Sequence, residues 1–286
     1  MEQNYIMQNG VEIPKIGFGT WQVPDGPVVE NAVLAALECG YTHIDTAFVY
    51  DNEKGVGKAV AQSGIPREDL FITTKLWNTK QGYESTLESF EVSLENLKMD
   101  YVDLYLIHWP ITYAYTDEFP QRVWDTWRAF EELYAAKRVR AIGISNFIVH
   151  HLESLMEKVN IVPMVNQLEI HPGYNQAEIV EYCQKNDIIV ESWSPLANGK
   201  LLAECALLIE LSEKYGKTPA QIALRWNLQK GLLPLPRSVK PARIAENFDV
   251  FGFELEQEDV QRITDMPEEY FSGNHPDRIE FLKGIG

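Results

Sequence analysis

Short apolar runs alternate with longer amphipathic runs along most of the chain. Most of the short runs are apolar on both alternating faces, which is typical of parallel strands that helices cover on both sides. Eight such runs predict strands, at residues 16–19, 42–45, 70–76, 102–108, 141–145, 164–170, 188–194 and 232–236. Between them, apolar positions recur at spacings of three and four, which predicts amphipathic helices.

Eight strand–helix units with right-handed crossovers predict an α/β fold, a (β/α)8 TIM barrel formed as one domain by residues 1–286. The alternative is an open doubly wound sheet. It is disfavoured because GFGTWQ, at 17–22, lacks the last glycine of the dinucleotide-binding motif GxGxxG. The turn residues Asn9 and Gly10 predict an N-terminal β-hairpin that caps the barrel. A C-terminal extra helix at 257–265 and a tail at 267–286 follow the eighth unit.

The amino-acid composition restricts the kinds of molecule that the protein can bind. The chain has 25 lysines and arginines against 42 aspartates and glutamates, a net charge of −17, so its surface repels nucleic acids and anionic membranes. An anionic cofactor therefore needs a local basic pocket.

No apolar stretch is long enough to predict a membrane span, and the N-terminus lacks signal-peptide features. The three cysteines are not spaced as CxxC and read as thiols of a reducing compartment. We expect a cytoplasmic protein.

Four polar residues fall at or just after the predicted ends of three successive strands: Asp45, Tyr50, Lys75 and His108. Each alone has an ordinary interpretation, as a helix cap, a half-buried aromatic ring, a solvated charge and a loop histidine respectively. A TIM barrel, however, brings the carboxyl ends of adjacent strands together, and its active sites lie there. The shared position at strand ends therefore predicts that the four side chains converge.

These four side chains suit proton donation to a carbonyl oxygen. A phenol has a pKa of about 10, and an ammonium group beside it lowers that pKa. Lys75 supplies the ammonium, and Asp45 keeps a buried Lys75 charged. His108 then hydrogen-bonds the substrate oxygen and orients it. The pattern predicts a carbonyl reductase in which Tyr50 is the acid.

The chain resembles aldo-keto reductases over essentially its whole length. The matching stretches are GFGTW (17–21), GYTHIDTAFVYDNEKGVGKAV (40–60), ITTKLWN (72–78), YVDLYLIHWP (101–110), IGISNF (142–147), NQLEIHP (166–172), SWSPL (192–196) and PRSVKPARIAEN (236–247). The resemblance is closest to prokaryotic members similar to 2,5-diketo-gluconate and methylglyoxal reductases. It implies reversible, NADPH-dependent reduction of small aldehydes and ketones to alcohols by a monomer or weak dimer. The implied catalytic tetrad is Asp45, Tyr50, Lys75 and His108, with hydride from carbon 4 of nicotinamide and the proton from Tyr50.

The cofactor residues divide into two groups. Trp193 offers a flat face for nicotinamide, and further nicotinamide and pyrophosphate contacts are expected from Thr20, Trp21, Ser145, Asn146, Gln167, Ser194 and Leu196. A basic segment before a predicted helix suits a phosphate, although it also reads as a solvated turn. The resemblance places the 2′-phosphate and adenine there, on Arg237, Ser238, Val239, Arg243, Glu246 and Asn247. Many relatives have lysine in place of Arg237 and threonine in place of Lys240. The charge favours NADPH and leaves NADH possible.

Tryptophans at strand ends predict an aromatic substrate pocket, formed by Trp21, Trp77 and Trp109. Further contacts are expected from Tyr113, Tyr115 and Phe119 in the loop after the fourth strand, and from Phe271 and His275 in the tail. No metal is expected, because no third ligand lies near Glu169 and His171, His43 is in a strand, and His150-His151 opens a helix. Two other functions stay open: a non-catalytic NADPH-binding regulatory barrel, and a hydrolase with Asp45 and Glu169 as paired carboxylates.

Overall fold

The computed structural model describes residues 3–111 and 117–278; the expected substrate contacts Tyr113 and Tyr115 lie outside this part. The chain begins with a hairpin of two antiparallel strands, β1 (Asn4–Ile6) and β2 (Glu12–Pro14). Gly10 has a φ of 81° in the connecting turn, a left-handed conformation that glycine adopts without steric cost. The predicted hairpin is confirmed.

The barrel sheet contains eight parallel strands in chain order. They are β3 (Phe18–Gly19), β4 (His43–Asp45), β5 (Phe71–Leu76), β6 (Val102–Ile107), β7 (Val139–Ser145), β8 (Val165–Glu169), β9 (Ile189–Trp193) and β10 (Leu233–Pro234). The last and first strands meet as well, because the amides of Gly17 and Gly19 donate to the carbonyls of Pro234 and Pro236, each at 3.1 Å. All eight predicted strands are present, and the (β/α)8 prediction is confirmed.

Helices surround the sheet. They are α1 (Pro27–Cys39), α2 (Glu53–Gln62), α3 (Tyr83–Leu97), α4 (Gln121–Ala135), α5 (Val149–Met156), α6 (Ala177–Lys185), α7 (Lys200–Glu204), α8 (Ala206–Tyr215), α9 (Pro219–Gln229), α10 (Pro241–Phe248) and α11 (Gln257–Thr264). Local signals set several ends: Pro27 starts α1, Gly40 ends it with a φ of 106°, and Thr218 and Gln221 form a capping box for α9. Between the seventh and eighth strands the sequence pattern predicts only the helix that begins at Thr218-Pro219, which is α9, and it misses α7 and α8. Within the described residues, no helix combines the length and apolar character that crossing a membrane requires.

Close helix packing holds the strand ends at fixed positions. Gly57 of α2 lies against the backbone of Leu97 at the end of α3, where a Cβ atom would come within 2.1 Å of the Leu97 carbonyl oxygen. The fully buried Trp127 and Trp226 fill the layer between helices and sheet, and their indole N–H groups donate to Ile161 O and Thr264 Oγ1, both at 3.0 Å. Truncating such a buried tryptophan costs about 3–5 kcal/mol. The barrel is thus a rigid frame for side chains at its mouth.

The hairpin covers the amino-terminal end of the barrel. Met7 and Ile13 are buried there against Phe71, Leu104 and Met164, which lie near the starts of their strands. This end of the barrel interior is therefore filled with apolar side chains. The carboxyl-terminal end is left as the place where polar side chains collect.

Candidate active site

Lys75 lies at the centre of a buried polar group at the carboxyl end of the barrel. In the register of β4 and β5, Asp45 is opposite Thr73, so Lys75, two residues further on, projects to the same face. Its side chain is fully buried and its Nζ donates to Asp45 Oδ1 at 2.7 Å, Thr46 O at 2.9 Å and the Tyr50 hydroxyl at 3.3 Å. The structure thus brings the side chains of Asp45, Tyr50 and Lys75 together, as the sequence predicted.

Lys75 keeps its charge in this site. Burial acts to lower the pKa of Lys75, but the Asp45 carboxylate and the Tyr50 hydroxyl raise it, and the net pKa lies above the ordinary 10.5. A buried ammonium needs such partners, because an unpaired buried charge is costly. The site therefore holds a fixed positive charge next to the phenol.

The pKa of Tyr50 departs from the expectation. Burial raises it above the ordinary value of 10.0, while the Lys75 ammonium acts in the opposite direction and is outweighed. From the Lys75 charge alone, the sequence analysis expected a lowered pKa for Tyr50. Burial makes a phenolate costly to form, and this effect was not included. The consequence is that Tyr50 carries its proton at neutral pH, as a proton donor must.

His108 faces Tyr50 from the end of β6. The two ring centroids are 5.6 Å apart with the rings nearly perpendicular, and the Trp77 ring also meets the imidazole edge-on, at a centroid distance of 5.4 Å. Burial, assisted by the Lys75 charge, lowers the pKa of His108 well below 6.5. The neutral ring has one N–H to donate, and its Nδ1 makes no hydrogen bond to any described residue.

A second buried carboxyl group lies beneath the tetrad. The Gln167 amide nitrogen donates to Asp45 Oδ2 at 2.9 Å and to Glu191 Oε2 at 2.6 Å. Glu191 is fully buried, and burial, together with repulsion from Asp45, raises its pKa to about 8. His43, whose Nε2 is 3.9 Å from Glu191 Oε1, has a pKa lowered by burial to about 3 and is neutral. At pH 7 Glu191 is therefore mainly protonated.

The sequence analysis missed Glu191, although a signal was present. A glutamate inside the predicted strand 188–194 and a histidine inside 42–45 are polar residues in segments that a barrel buries on both faces. Only the fold reveals that Gln167 joins Glu191 to Asp45. Gln167 thus has a structural partner on each side in addition to its expected cofactor contact.

The tetrad opens into a cleft of about 1000 Å³. Trp77 and Trp109 pack together with Phe48, Val49 and Trp193 to form an aromatic wall, and Trp21, 38% exposed, lines the same cleft. All three tryptophans of the predicted substrate pocket are therefore at the mouth. The wall is apolar apart from the polar groups of the tetrad, as is usual for small-molecule sites.

One end of the cleft suits a planar ring that carries an amide. The Trp193 indole N–H donates to Asn146 Oδ1 at 2.8 Å, and the Asn146 amide nitrogen donates to His108 O at 2.9 Å. Ser145 donates to Gln167 O at 2.8 Å. All of these side chains line the cleft, with Trp193 half-buried. The indole is thereby held in place, and polar side chains lie beside it.

The other end of the cleft is basic. It is lined by Arg237, Ser238, Val239, Lys240, Arg243, Glu246 and Asn247, at the start of α10. The ion pairs between described residues include none of Arg237, Lys240 and Arg243. Burial lowers the pKa of Arg237, although the residue as a whole is exposed. In a protein of net charge −17, such a cluster of cations suits a bound phosphate.

Between these ends lies a loop with unusual backbone angles. Ser194, Ala197 and Asn198 have φ values of 51°, 45° and 56°, and Gly199 has 87°. Backbone in such conformations forms concavities of N–H groups that bind anions. The Ser194 hydroxyl is buried without a hydrogen-bond partner in the described chain. The loop lines the cleft, so the residues present fit a dinucleotide between the aromatic and basic ends.

A few expected contacts are not in the cleft. Thr20 is fully buried and its hydroxyl donates to Asp45 O at 3.0 Å, so it supports β4 and does not line the cleft. Phe119 packs edge-on against His151, and Phe271 stacks on Tyr174 at 4.6 Å. His275 is also outside the cleft lining, whereas Asn274, which was not predicted, is part of it. These positions depend on long-range packing, which local patterns do not specify.

The model of the aldo/keto reductase family matches residues 15–268. The chain belongs to the aldo/keto reductase family. As a member of this family it is an oxidoreductase.

Named relatives cover almost the whole chain. Glyoxal reductase of Bacillus subtilis is 48% identical over 275 residues, 96% of each protein. Methylglyoxal reductase DkgA of Escherichia coli is 41% identical over 274 residues, again 96% of each. A mutant of Gox0644, solved in complex with NADPH, is 40% identical with a TM-score of 0.87 and covers 97% of this chain and 98% of its own.

Proposed function

We propose that the protein reduces small aldehydes and ketones to alcohols with NADPH, reversibly, and that Tyr50 is the proton donor. The observation that carries this proposal is Lys75, whose buried Nζ lies 2.7 Å from Asp45 and 3.3 Å from the Tyr50 hydroxyl. A buried ammonium placed against a phenol at the mouth of a cleft is an arrangement typical of catalytic sites. The names of the glyoxal and methylglyoxal reductases support small carbonyl compounds as substrates.

Different groups of residues would bind the different parts of the cofactor. Trp193, Asn146, Ser145 and Gln167 would hold the nicotinamide, and the loop that includes Ser194 and Leu196 would hold the pyrophosphate. The basic end would hold the adenosine part with its 2′-phosphate. When bound, the reduced nicotinamide supplies a hydride to the carbonyl carbon.

The four residues of the tetrad carry out the transfer of a proton to the carbonyl oxygen. Tyr50 is protonated at neutral pH and gives its proton to the carbonyl oxygen as negative charge develops there. Lys75 stabilises the resulting phenolate, because it keeps its ammonium charge beside the phenol oxygen. His108, neutral and facing Tyr50, donates an N–H to the same carbonyl oxygen and sets its direction. Asp45 holds Lys75 in place and is not itself required to change protonation.

The two other functions are less well supported. In a hydrolase, Asp45 and Glu169 would act as paired carboxylates, but Asp45 is bound to Lys75, and Glu169 accepts both the amide and the hydroxyl of Ser272. A non-catalytic NADPH-binding barrel would not need the Lys75–Tyr50 contact. The predicted cytoplasmic location and the monomer or weak dimer stay predictions.

Substituting Tyr50→Phe tests the acid directly. The change removes one hydroxyl and keeps the ring, so we expect kcat for methylglyoxal with NADPH to fall about 10²–10⁴-fold, the usual size of a general-acid contribution. NADPH binding, followed by quenching of tryptophan fluorescence, is expected to be retained. The matched control is Tyr182→Phe on α6, outside the cleft, which should keep the wild-type rate. Turnover by Tyr50→Phe at the wild-type rate would show that another group supplies the proton.

Substituting Arg243→Ala tests the preference for NADPH. Loss of a charge-assisted hydrogen bond to the 2′-phosphate costs roughly 1.5–3 kcal/mol, or about 10–100-fold in NADPH affinity. The affinity for NADH, which lacks that phosphate, should change little. Arg128→Ala is the control, because Arg128 is exposed and pairs only loosely with Asp125 at 3.8 Å. Equal losses for both cofactors would remove the 2′-phosphate from this end of the cleft.

A further inference from the structure

A cluster of metal-ligand atoms lies outside the cleft, where the tail meets α5. His150 Nε2 is 3.1 Å and His151 Nε2 is 3.2 Å from the same Asp277 oxygen, Oδ1. The ligand atoms of the three residues all lie within 4.8 Å of one another. The sequence analysis expected no metal and did not consider Asp277, which is distant along the chain from the two histidines and is brought to them by the folded tail.

His151 provides a second, independent observation. Its side chain is fully buried, yet neither ring nitrogen makes a hydrogen bond to any described residue. Phe119 and Phe147 hold the ring edge-on, at centroid distances of 5.4 and 6.1 Å, and the His150 ring lies 4.0 Å away. A buried polar group without a hydrogen bond is costly. A metal ion bound at Nε2 would satisfy it.

The geometry fits one class of ion. Zinc binds histidine nitrogen and carboxylate oxygen at about 2.0–2.2 Å in a tetrahedron, so neighbouring ligand atoms lie roughly 3.3–3.5 Å apart. The two observed distances to Asp277 Oδ1 are close to this spacing. Imidazole and carboxylate together suit zinc, cobalt, nickel and copper, whereas magnesium and calcium prefer oxygen ligands alone.

We propose that His150, His151 and Asp277 form a binding site for a divalent transition-metal ion of the zinc type, which fastens the tail to α5. The tail is also held by Ser272, whose amide and hydroxyl bind Glu169 at 3.0 and 2.7 Å. Between these two attachments lies Asn274, which lines the cleft. A metal ion at the cluster would therefore fix the segment that borders the cleft. The site does not depend on the proposed catalytic function.

Cobalt is the probe of choice, since tetrahedral Co²⁺ has visible absorption bands. The full chain, carrying no histidine tag and stripped by a chelator, is titrated with Co²⁺ in the presence of excess Mg²⁺, which suppresses weak binding to the acidic surface. The proposal expects one Co²⁺ per chain, tetrahedral bands, and displacement by Zn²⁺. Absence of stoichiometric binding would overturn it.

Two exposed ligands allow variants that keep the core intact. The side chains of His150 and Asp277 are 57% and 41% exposed, so His150→Asn and Asp277→Asn are expected to fold. Even supporting residues of metal sites are worth about 10–100-fold in affinity, so each loss of a ligand should weaken Co²⁺ binding at least about tenfold. Asp265→Asn, an exposed acid after α11, is the matched control and should bind as the wild type does. Equal affinity in all four proteins would mean an adventitious ion elsewhere and would also overturn the proposal.

A tail measurement separates metal binding from a simple ion pair. If Zn²⁺ fastens the tail, it should slow tryptic cleavage after Arg278 severalfold in the wild type and in Asp265→Asn, and not in Asp277→Asn. If the histidines only pair with Asp277 as protonated groups, Zn²⁺ would leave the cleavage rate of the wild type unchanged. That result would contradict the proposal even if some Co²⁺ bound.

Discussion

The two ends of the barrel interior are built from the same strands and have opposite character. At the amino-terminal end, Phe71 of β5 and Val165 of β8 pack under the hairpin in an apolar cluster. A few residues along the same strands, Lys75 and Gln167 are joined to Asp45 by hydrogen bonds. On the same strand, a side chain near the start contributes to the stability of the core, whereas a side chain near the end lies in the active site. The apolar end stabilises the barrel. The polar end contains buried charges, which the rigid barrel holds in place.

Breaking the buried ion pair should have the largest effect. Lys75→Met shortens the side chain by one atom and leaves Asp45 as an unpaired buried charge, which costs about 3–5 kcal/mol of the free energy of unfolding. Reductase activity should fall at least about 10²-fold, since the phenolate of Tyr50 loses its counter-charge. Urea unfolding and the methylglyoxal assay measure the two effects.

The control for this change is Lys58→Met. Lys58 pairs with Glu30 at 2.7 Å but is 56% exposed, and exposed pairs contribute about 1 kcal/mol or less. If Lys75→Met were as stable and as active as Lys58→Met, the polar end would not depend on its charge, and the comparison between the two ends would fail.

The apolar end should respond differently. Ile13→Ala removes a fully buried side chain of the hairpin and should cost about 2–5 kcal/mol of stability by loss of burial and the cavity left behind. The kcat of the folded protein should be unchanged, because the polar end is not touched. Ile6→Ala, at a side chain that is 69% exposed, is the control. A large fall in kcat for Ile13→Ala would mean that the hairpin also shapes the active site.

Glu191 gives a smaller, pH-dependent effect. Its pKa rises from the ordinary 4.5 to about 8 in the folded protein, so the folded state binds the proton more tightly than the unfolded state does. Its contribution to stability is therefore full below pH 4.5 and is lost as the pH rises through about 8. Glu191→Gln lacks this titration and keeps the shape of the side chain.

The free energy of unfolding of the wild type, minus that of Glu191→Gln, should thus decrease as the pH rises from 4.5 to about 8, the window between the unfolded and folded pKa values. Glu181→Gln, on the exposed face of α6, should show no such trend relative to the wild type. A difference that stays flat with pH would show that Glu191 is ionised throughout this range, and that Gln167 joins two carboxylates.

Much of the site could be predicted from the sequence because strand ends are visible in it. Asp45, Lys75 and His108 each follow an apolar run, and a barrel brings the ends of such runs together. The cations near Arg237 were visible as a local cluster before a helix. The helices α7 and α8, which follow a turn of unusual backbone angles at 197–199, were missed.

The alternation of apolar and polar positions by itself determined the order of the elements, the barrel and the neighbours of Lys75, because each of these depends on local propensity and strand order. Only the tertiary structure decided the direction of the Tyr50 pKa, the bridge from Asp45 through Gln167 to Glu191, and the meeting of Asp277 with the two histidines of α5. The physical reason is common to all three. Desolvation and long-range contact depend on which atoms surround a group in space, and a linear pattern does not contain that information.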